Sequence, residues 1–453
     1  MQRTQQPPAR LVTLNTPAVT SLLATATLAA ALAGCGGGTT GSTGGGGSST
    51  NIPVSGTATP TAVVEAQKTN IPVDPAIAAA DNAFGLNLLN TLIPGSSGGN
   101  VAISPLSVAL ALQIIYNGAE GTTQTAMAQT LQLGSLSTTD LNNDNAALEA
   151  ALLNPDAKVQ LTIANSLWMH LADNPISTSF VDTDQTYYGA SIGDLAGAPA
   201  NVNAWVSSET QGLISELFPG ATAAFYEPLI AVVANTIYFK GEWTYAFDPT
   251  LTAAAPFTLS DGTQVSAELM NQTATFDYFQ GSLQGTTFQA MRLPYGSGRL
   301  NMLMVLPQAG ASLDSFVANL TPDVLNGWNS QFTNIYGSIA LPRFDATYGQ
   351  RLDNALSTLG MGVAFCANDG ILPGISPLAC LAKVEHQTVI EVDESGTVAA
   401  GATGGGFGVT DVQSPQFTMT MNHPFFYAIQ DSTTGVWLFI GVVMNPAQTS
   451  GAG

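Results

Sequence analysis

Positive charge is scarce in this chain: its 453 residues include only 10 lysines and arginines against 31 aspartates and glutamates, a formal charge of −21. A surface of that sign repels phosphate backbones and anionic headgroups, which excludes nucleic acid and anionic lipid surfaces as partners. Charged residues of both signs make up only 9% of the chain, so the acidity reflects missing bases rather than acidic runs. Histidine occurs three times, as His170, His386 and His423, at no spacing that would bring two imidazoles to one metal. Walker loops, Cys-x-x-Cys pairs and His-Glu-x-x-His are all missing. Gly95-Ser96-Ser97-Gly98-Gly99 formally fits G-x-S-x-G, but it lies in a Gly/Ser loop with no strand before it. The sequence therefore assigns no catalytic nucleophile, no metal and no cofactor.

Long apolar runs are also rare. The stretch from Ala18 to Ala33 follows Arg3 and Arg10 and is too short for a comfortable membrane span, which is the layout of a secretory leader. Its ending, Leu32-Ala33-Gly34-Cys35, resembles the bacterial lipobox, in which the cysteine becomes the acylated first residue. Gly36 to about Thr61 is dominated by Gly, Ser and Thr and buries too little to offset its ordering entropy, so it reads as a flexible leash. The expected organisation is a leader over 1–34, a tether over 35–70, a folded domain over 71–448 and a tail over 449–453. Without residues 1–34, which hold two arginines and no acid, the charge of −21 becomes −23. Membrane attachment is expected only through Cys35, on an exported protein of the cell envelope (the outer membrane) or the extracellular space. Of the three cysteines this leaves Cys366 and Cys380. In an exported chain they read as a disulfide closing the loop before a long strand, with two unpaired buried thiols as the alternative.

The folded part mixes helices and strands without a βαβ repeat, which argues for an α+β domain with large sheets. Ile77, Ala80, Phe84 and Leu88 recur at helical spacing. Ser104-Pro105 starts a buried helix through Val108–Tyr116, a capping side chain followed by proline in the first turn. Asn201 reads as the cap of a helix over Asn203–Phe218. Leu229–Lys240 is a nearly continuous apolar run suited to a strand buried on both faces. Asp261-Gly262 and Tyr295-Gly296-Ser297-Gly298 read as hairpin turns, and Phe425–Ile429 with Val436–Val443 as a closing pair of strands.

The most informative stretch is Glu394-Ser-Gly-Thr-Val-Ala-Ala-Gly-Ala-Thr403, which follows a strand-like run over Val384–Val392. Its alternate positions Thr397, Ala399, Gly401 and Thr403 carry only small or β-branched side chains. Side chains of a strand face one side every second residue, so this segment could enter a crowded sheet without clash. A flexible Gly/Ala linker is the plainer reading of these ten residues.

The segment closely resembles the reactive-centre hinge of serpins, and the resemblance runs from about Pro75 to Pro446. Val101-Ala102-Ile103-Ser104-Pro105-Leu106-Ser107 looks like the family's first buried helix start. Asn203-Ala204-Trp205-Val206 with Thr210 and Gly212-Leu213-Ile214 looks like a family helix, with Leu213 where lysine is usual. Asn235-Thr236-Ile237-Tyr238-Phe239-Lys240-Gly241-Glu242-Trp243 and Phe425 to Pro446 complete the series. The resemblance implies a serpin fold of three β-sheets, one large and central, with about eight or nine helices and an exposed loop over about 394–417. It implies a shutter of Ser104, Ser107, Asn235 and His386 beneath the point where the central sheet parts, and a breach at Trp243 where the loop first enters. Glu394, Gly396, Thr397, Ala399, Ala400, Gly401, Ala402 and Thr403 match the insertable hinge. Ser395 replaces a common acid, and Gly404-Gly405-Gly406 adds backbone entropy to be lost on insertion. The family spacing puts the reactive bond at Thr410–Asp411, with Phe407, Val409 and Gln413 as alternatives. The implied activity is suicide-substrate inhibition, by a monomer, of an elastase-like or chymotrypsin-like serine protease held as a covalent acyl complex. A non-inhibitory binding protein on the same fold is the alternative.

Overall fold

The structure is a computed structural model that describes residues 24–34, 73–96, 98–153, 155–172, 176–368, 371–377, 379–396 and 414–448. Among the described residues the α-helices are α1 (Pro75–Leu92), α2 (Pro105–Tyr116), α3 (Gly121–Thr130), α4 (Thr138–Leu152), α5 (Thr178–Tyr188), α6 (Ala200–Glu209), α7 (Ala223–Tyr226), α8 (Leu313–Val317), α9 (Pro322–Trp328) and α10 (Asp353–Thr358). The first two start as their sequences dictate. Asp74 and Ser104 are extended N-caps whose side chains accept from Ala76 N and Ser107 N, and a proline occupies the first turn of each helix. Every residue of α2 is buried, so this helix is the spine of the core. Helix α6 departs from expectation. It is capped by Pro199 rather than Asn201 and ends at Glu209, because Gln211 (φ 54°) and Gly212 (φ 83°) turn left-handed. Ile214, Leu217 and Phe218 still pack with Val202 and Val206 in a satellite cluster, as the apolar pattern requires.

The strands form two extended sheets. The central one runs β11 (Phe344–Asp345), β13 (Ala379–Val392), β1 (Ala24–Gly34), β5 (Leu229–Gly241), β3 (Val159–Met169) and β4 (Ser191–Asp194), with β12 (Tyr348–Arg351) also paired to β13. The second runs β14 (Thr418–Thr420), β10 (Thr333–Pro342), β7 (Gln264–Leu283), β8 (Thr286–Tyr295), β9 (Leu300–Pro307), β15 (Phe425–Asp431), β16 (Trp437–Val443) and β2 (Val101–Ile103), with β6 (Ala253–Thr258) on β7. Two smaller sheets are fused here because the 20 residues of β7 run through both, pairing with β6 over 264–269, with β10 over 269–278 and with β8 over 277–283. The two turns read from sequence fall between β6 and β7 and between β8 and β9, with Gly262, Gly296 and Gly298 at positive φ. Cys366 and Cys380 are joined by a disulfide with Cα atoms 5.0 Å apart. A bridge closing a loop of this size contributes roughly 3 kcal/mol by restricting the unfolded chain.

The apolar run read as the leader core is, in this structure, a strand of the folded body. Strand β1 lies between β13 and β5 and is antiparallel to both, pairing from Ala24 with Ile390 and Phe239 to Gly34 with Ala379. The resemblance implies a central sheet that parts to take in the cleaved loop. Alternation explains how the segment fits: Leu28, Ala30 and Leu32 share one face and are fully buried, and β1 packs on α2. The strands on its two sides are parallel to each other, so an antiparallel strand completes both ladders at once.

Candidate functional site

At one end of the central sheet the chain leaves β13 and reaches the base of the hinge. Trp243, just past the end of β5, is buried and stacks on Tyr295 with ring centroids 4.3 Å apart. Its indole Nε1–H donates to Asp393 O at 2.9 Å, and its backbone N–H donates to Ser395 O at 3.2 Å. The backbone N–H of Phe247 donates to Glu394 O at 2.9 Å. Gly396 takes φ 79°, and a Cβ there would lie 2.1 Å from Trp243 N. Only glycine can make this turn, on grounds of both conformation and space.

The side chain of Glu394 fixes the same corner. Arg343 Nε donates to both of its oxygens, at 2.8 and 2.9 Å, and Thr252 Oγ1 donates to Oε1 at 2.5 Å. Burial pushes this carboxyl up, but the hydrogen bonds from Arg343 and Thr252 win and hold it below the usual glutamate range. Arg343 is about half exposed (47%), so the pair is worth no more than the ~1 kcal/mol of surface ion pairs and serves chiefly to orient. Next to it, burial raises Asp393 to about 6, against the hydrogen bond from Ser395 N.

Lower in the sheet, Ser104, Ser107 and His386 come together at the start of α2. His386 Nε2 accepts from Ser104 N at 3.2 Å and from Thr388 Oγ1 at 2.8 Å, so Nδ1 carries the proton and donates to Thr27 O at 3.0 Å. Burial lowers the pKa of His386 to about 4, which keeps it neutral. Ser104 Oγ caps α2 through Ser107 N at 3.2 Å. Asn235 stands across the sheet instead: His386 and Asn235 are the two partners of Leu28, one on each side of β1. Its Nδ2 donates to Asn165 Oδ1 at 2.8 Å, and its Oδ1 is buried with no hydrogen-bond partner among the described residues.

From Asn165 a polar network runs beneath the sheet. Asn165 Nδ2 donates to Glu149 Oε1 at 3.0 Å and to Tyr188 O at 2.8 Å. Tyr188 and Asn145 lead on to Gln113, whose Nε2 donates to Asp81 Oδ1 at 2.8 Å. Burial raises Asp81 to about 8, only partly countered by Gln113, and burial also raises Asp184 well above the carboxylate range. A carboxyl raised in the fold stabilises it fully below the unfolded value, and that stability is lost as pH climbs through the folded value. Between about pH 4 and pH 8 the protein should therefore lose a few kcal/mol that Asp81→Asn retains. Urea midpoints of both proteins at pH 5 and pH 8 check this; equal pH slopes would show that Asp81 titrates normally.

The loop positions Thr397, Ala399, Ala400, Gly401, Ala402, Thr403, Phe407, Val409, Thr410, Asp411 and Gln413 lie outside the described residues, as does Cys35. Beyond the loop the chain rejoins the fold at Gln416, whose N–H donates to Tyr336 O, and at Phe417, which stacks on Tyr278 at 3.8 Å. Sequence reasoning missed Arg343, Thr252 and Thr388. Thr388 was within reach of it, since two residues past His386 on a strand is the same face. Among the described residues no group of three His, Cys, Asp or Glu side chains could hold a metal, and no helix is long and apolar enough to cross a membrane.

Comparison with known proteins agrees with this geometry. The family whose model matches residues 79–446 is described as Serpin (serine protease inhibitor). Leukocyte elastase inhibitor A of Rattus norvegicus is 30% identical over 384 residues, covering 82% of this chain and 99% of that protein. Corticosteroid-binding globulin of Oryctolagus cuniculus is 28% identical over 380 residues, with 82% and 96% covered. Among solved structures, the thermophilic serpin Tengpin in its native state superposes with a TM-score of 0.70 at 26% identity, covering 83% of this chain and 96% of that one.

Proposed function

Because the chain belongs to the serpin family, we propose that it is a suicide-substrate inhibitor of serine proteases whose bait is the loop of about residues 394–417. One observation carries the reading: the central sheet admits an extra strand between β5 and β13, antiparallel to both, just below the pinned hinge at Gly396. The loop binds as substrate. The target's serine oxygen attacks the carbonyl of Thr410, the amine of Asp411 leaves, and an ester joins the two proteins. Phe407, Val409 and Gln413 are the alternative positions. Thr410 or Val409 suits the small pocket of an elastase-like enzyme, and Phe407 a chymotrypsin-like one; small-pocket discrimination is modest. The freed hinge, swivelling at Gly396, then enters the sheet. About fourteen residues at ~3.4 Å each carry the esterified enzyme roughly 48 Å. Its catalytic hydrogen bonds, which need tightly held distances, are lost before the ester hydrolyses. The inhibitor acts as a monomer, exported and tethered by an acyl group at Cys35 through the Gly/Ser/Thr leash.

Incubation with trypsin-, chymotrypsin- and elastase-like enzymes should give a band on a denaturing gel at the summed mass. The mass of the released C-terminal peptide should place the cut at Thr410. Clean cleavage by all three enzymes with no such band would reject inhibition. A non-inhibitory binding role is the second reading, favoured by Gly404-Gly405-Gly406, which adds backbone entropy to be lost on insertion.

A further inference from the structure

The slot that the proposed mechanism requires already has an occupant. Strand β1 enters at the hinge end of the sheet, where Ala24 pairs with Ile390 and Phe239, shortly before Gly396 and Trp243 in their own strands. It runs antiparallel to β5 and β13, the direction a hinge descending from Gly396 would take. It ends at Gly34, the residue before Cys35. Apart from Leu28 and Leu32 in one and Val398 in the other, the leader stretch Ala24-Thr-Ala-Thr-Leu-Ala-Ala-Ala-Leu-Ala-Gly34 and the hinge Thr397-Val-Ala-Ala-Gly-Ala-Thr403 hold only Ala, Gly and Thr, so the same place admits either. The segment also engages the shutter, where Thr27 O accepts the hydrogen bond of His386 Nδ1–H at 3.0 Å. Leu28, Ala30 and Leu32 meanwhile fill the core with no exposure.

We infer that the uncleaved chain is a latent precursor in which the leader strand Ala24–Gly34 occupies the loop's own insertion slot, and that cleavage at Gly34–Cys35 arms the inhibitor. This rests on the inhibitory reading and on the leader assignment above. Water adds across the Gly34–Cys35 amide, leaving a carboxylate on Gly34 and an amine on Cys35. Strand β1 is then a separate peptide. Its tether had given it a high effective concentration at the slot, which cleavage removes, so dilution favours its release. A slot free for a small fraction of the time lowers trapping in proportion to that fraction. An inhibitor armed only on export would spare proteases on the inner side of the membrane.

The test compares two full-length chains, both carrying Cys35→Ala to block processing: one with the natural leader, the other also with Leu28→Asp and Leu32→Asp. Buried carboxylates at both positions should expel β1. Backbone amides of β5 and β13 should then exchange with deuterium at least about tenfold faster, and covalent complex with the target protease should rise by a similar factor. Adding a synthetic peptide of residues 24–34 to the leader-free chain should reverse both changes, an arm that does not depend on how the double variant folds. Unchanged exchange in the variant together with no protection from the peptide overturns the inference and leaves the inhibitory reading intact. Changed exchange with no covalent complex from either chain supports slot occupancy and rejects inhibition instead.

Discussion

Clipping the loop of the leader-free protein should raise its thermal midpoint by on the order of 10 °C. Without β1, β5 and β13 would lack the neighbour they share in the full chain, and on the proposed mechanism the cut lets the hinge supply one. The ladders that β1 makes with both strands define what is gained: a central strand hydrogen-bonded on two sides along most of its length. Some ten or more new backbone bonds at about 0.5–1.5 kcal/mol each give roughly 10 kcal/mol. A body of ~380 residues unfolds with an entropy of about 0.8 kcal/mol/K, so that gain corresponds to roughly 12 °C. Calorimetry of intact and clipped protein at matched scan rates checks it, since a metastable native state makes the apparent midpoint rate-dependent. A clipped form melting no later than the intact one would remove insertion from the mechanism. In the uncleaved precursor, with β1 in place, the same cut should change the midpoint little.

Thr397→Arg should turn the inhibitor into an ordinary substrate. Thr397 directly follows Gly396, so in the proposed insertion its side chain would be among the first to enter the sheet. A guanidinium carried into that corner finds Glu394 already bound by Arg343 and Thr252, which leaves only Asp393, whose charged form burial disfavours. Burying an uncompensated charge costs several kcal/mol, and each 1.4 kcal/mol added to the insertion barrier slows it about tenfold. Hydrolysis of the acyl-enzyme then overtakes insertion, and the trapped fraction should fall by about 100-fold while the rate of loop cleavage is kept. Thr397→Ser should inhibit normally, which separates charge from loss of the methyl group. The readout is the ratio of complex to cleaved inhibitor on a denaturing gel, and an undiminished complex from the arginine variant would refute insertion.

What the sequence made legible is what depends on neighbours along the chain. The strand at Leu229–Gly241 declares itself by an apolar run, and the start of α2 by Ser104 and Pro105. The turn at Gly262 shows in a two-residue signal. What depended on distant pairing did not show. Arg343 and Glu394 are 51 residues apart, and Asn165 and Asn235 are 70 apart, with nothing local to link either pair. The helix through Asn203 was read too long because its apolar spacing continues past Thr210, while the backbone turns left-handed at Gln211 and Gly212. The apolar leader run was read only for membrane export, since hydrophobicity alone does not distinguish a segment bound for lipid from one that completes a sheet.

The continuous strand β7 has a mechanical consequence. With β6, β10 and β8 all laddered to one 20-residue backbone, the nine-stranded sheet is a single beam without a flexible joint. A load applied at any one of these strands is therefore shared along the same backbone.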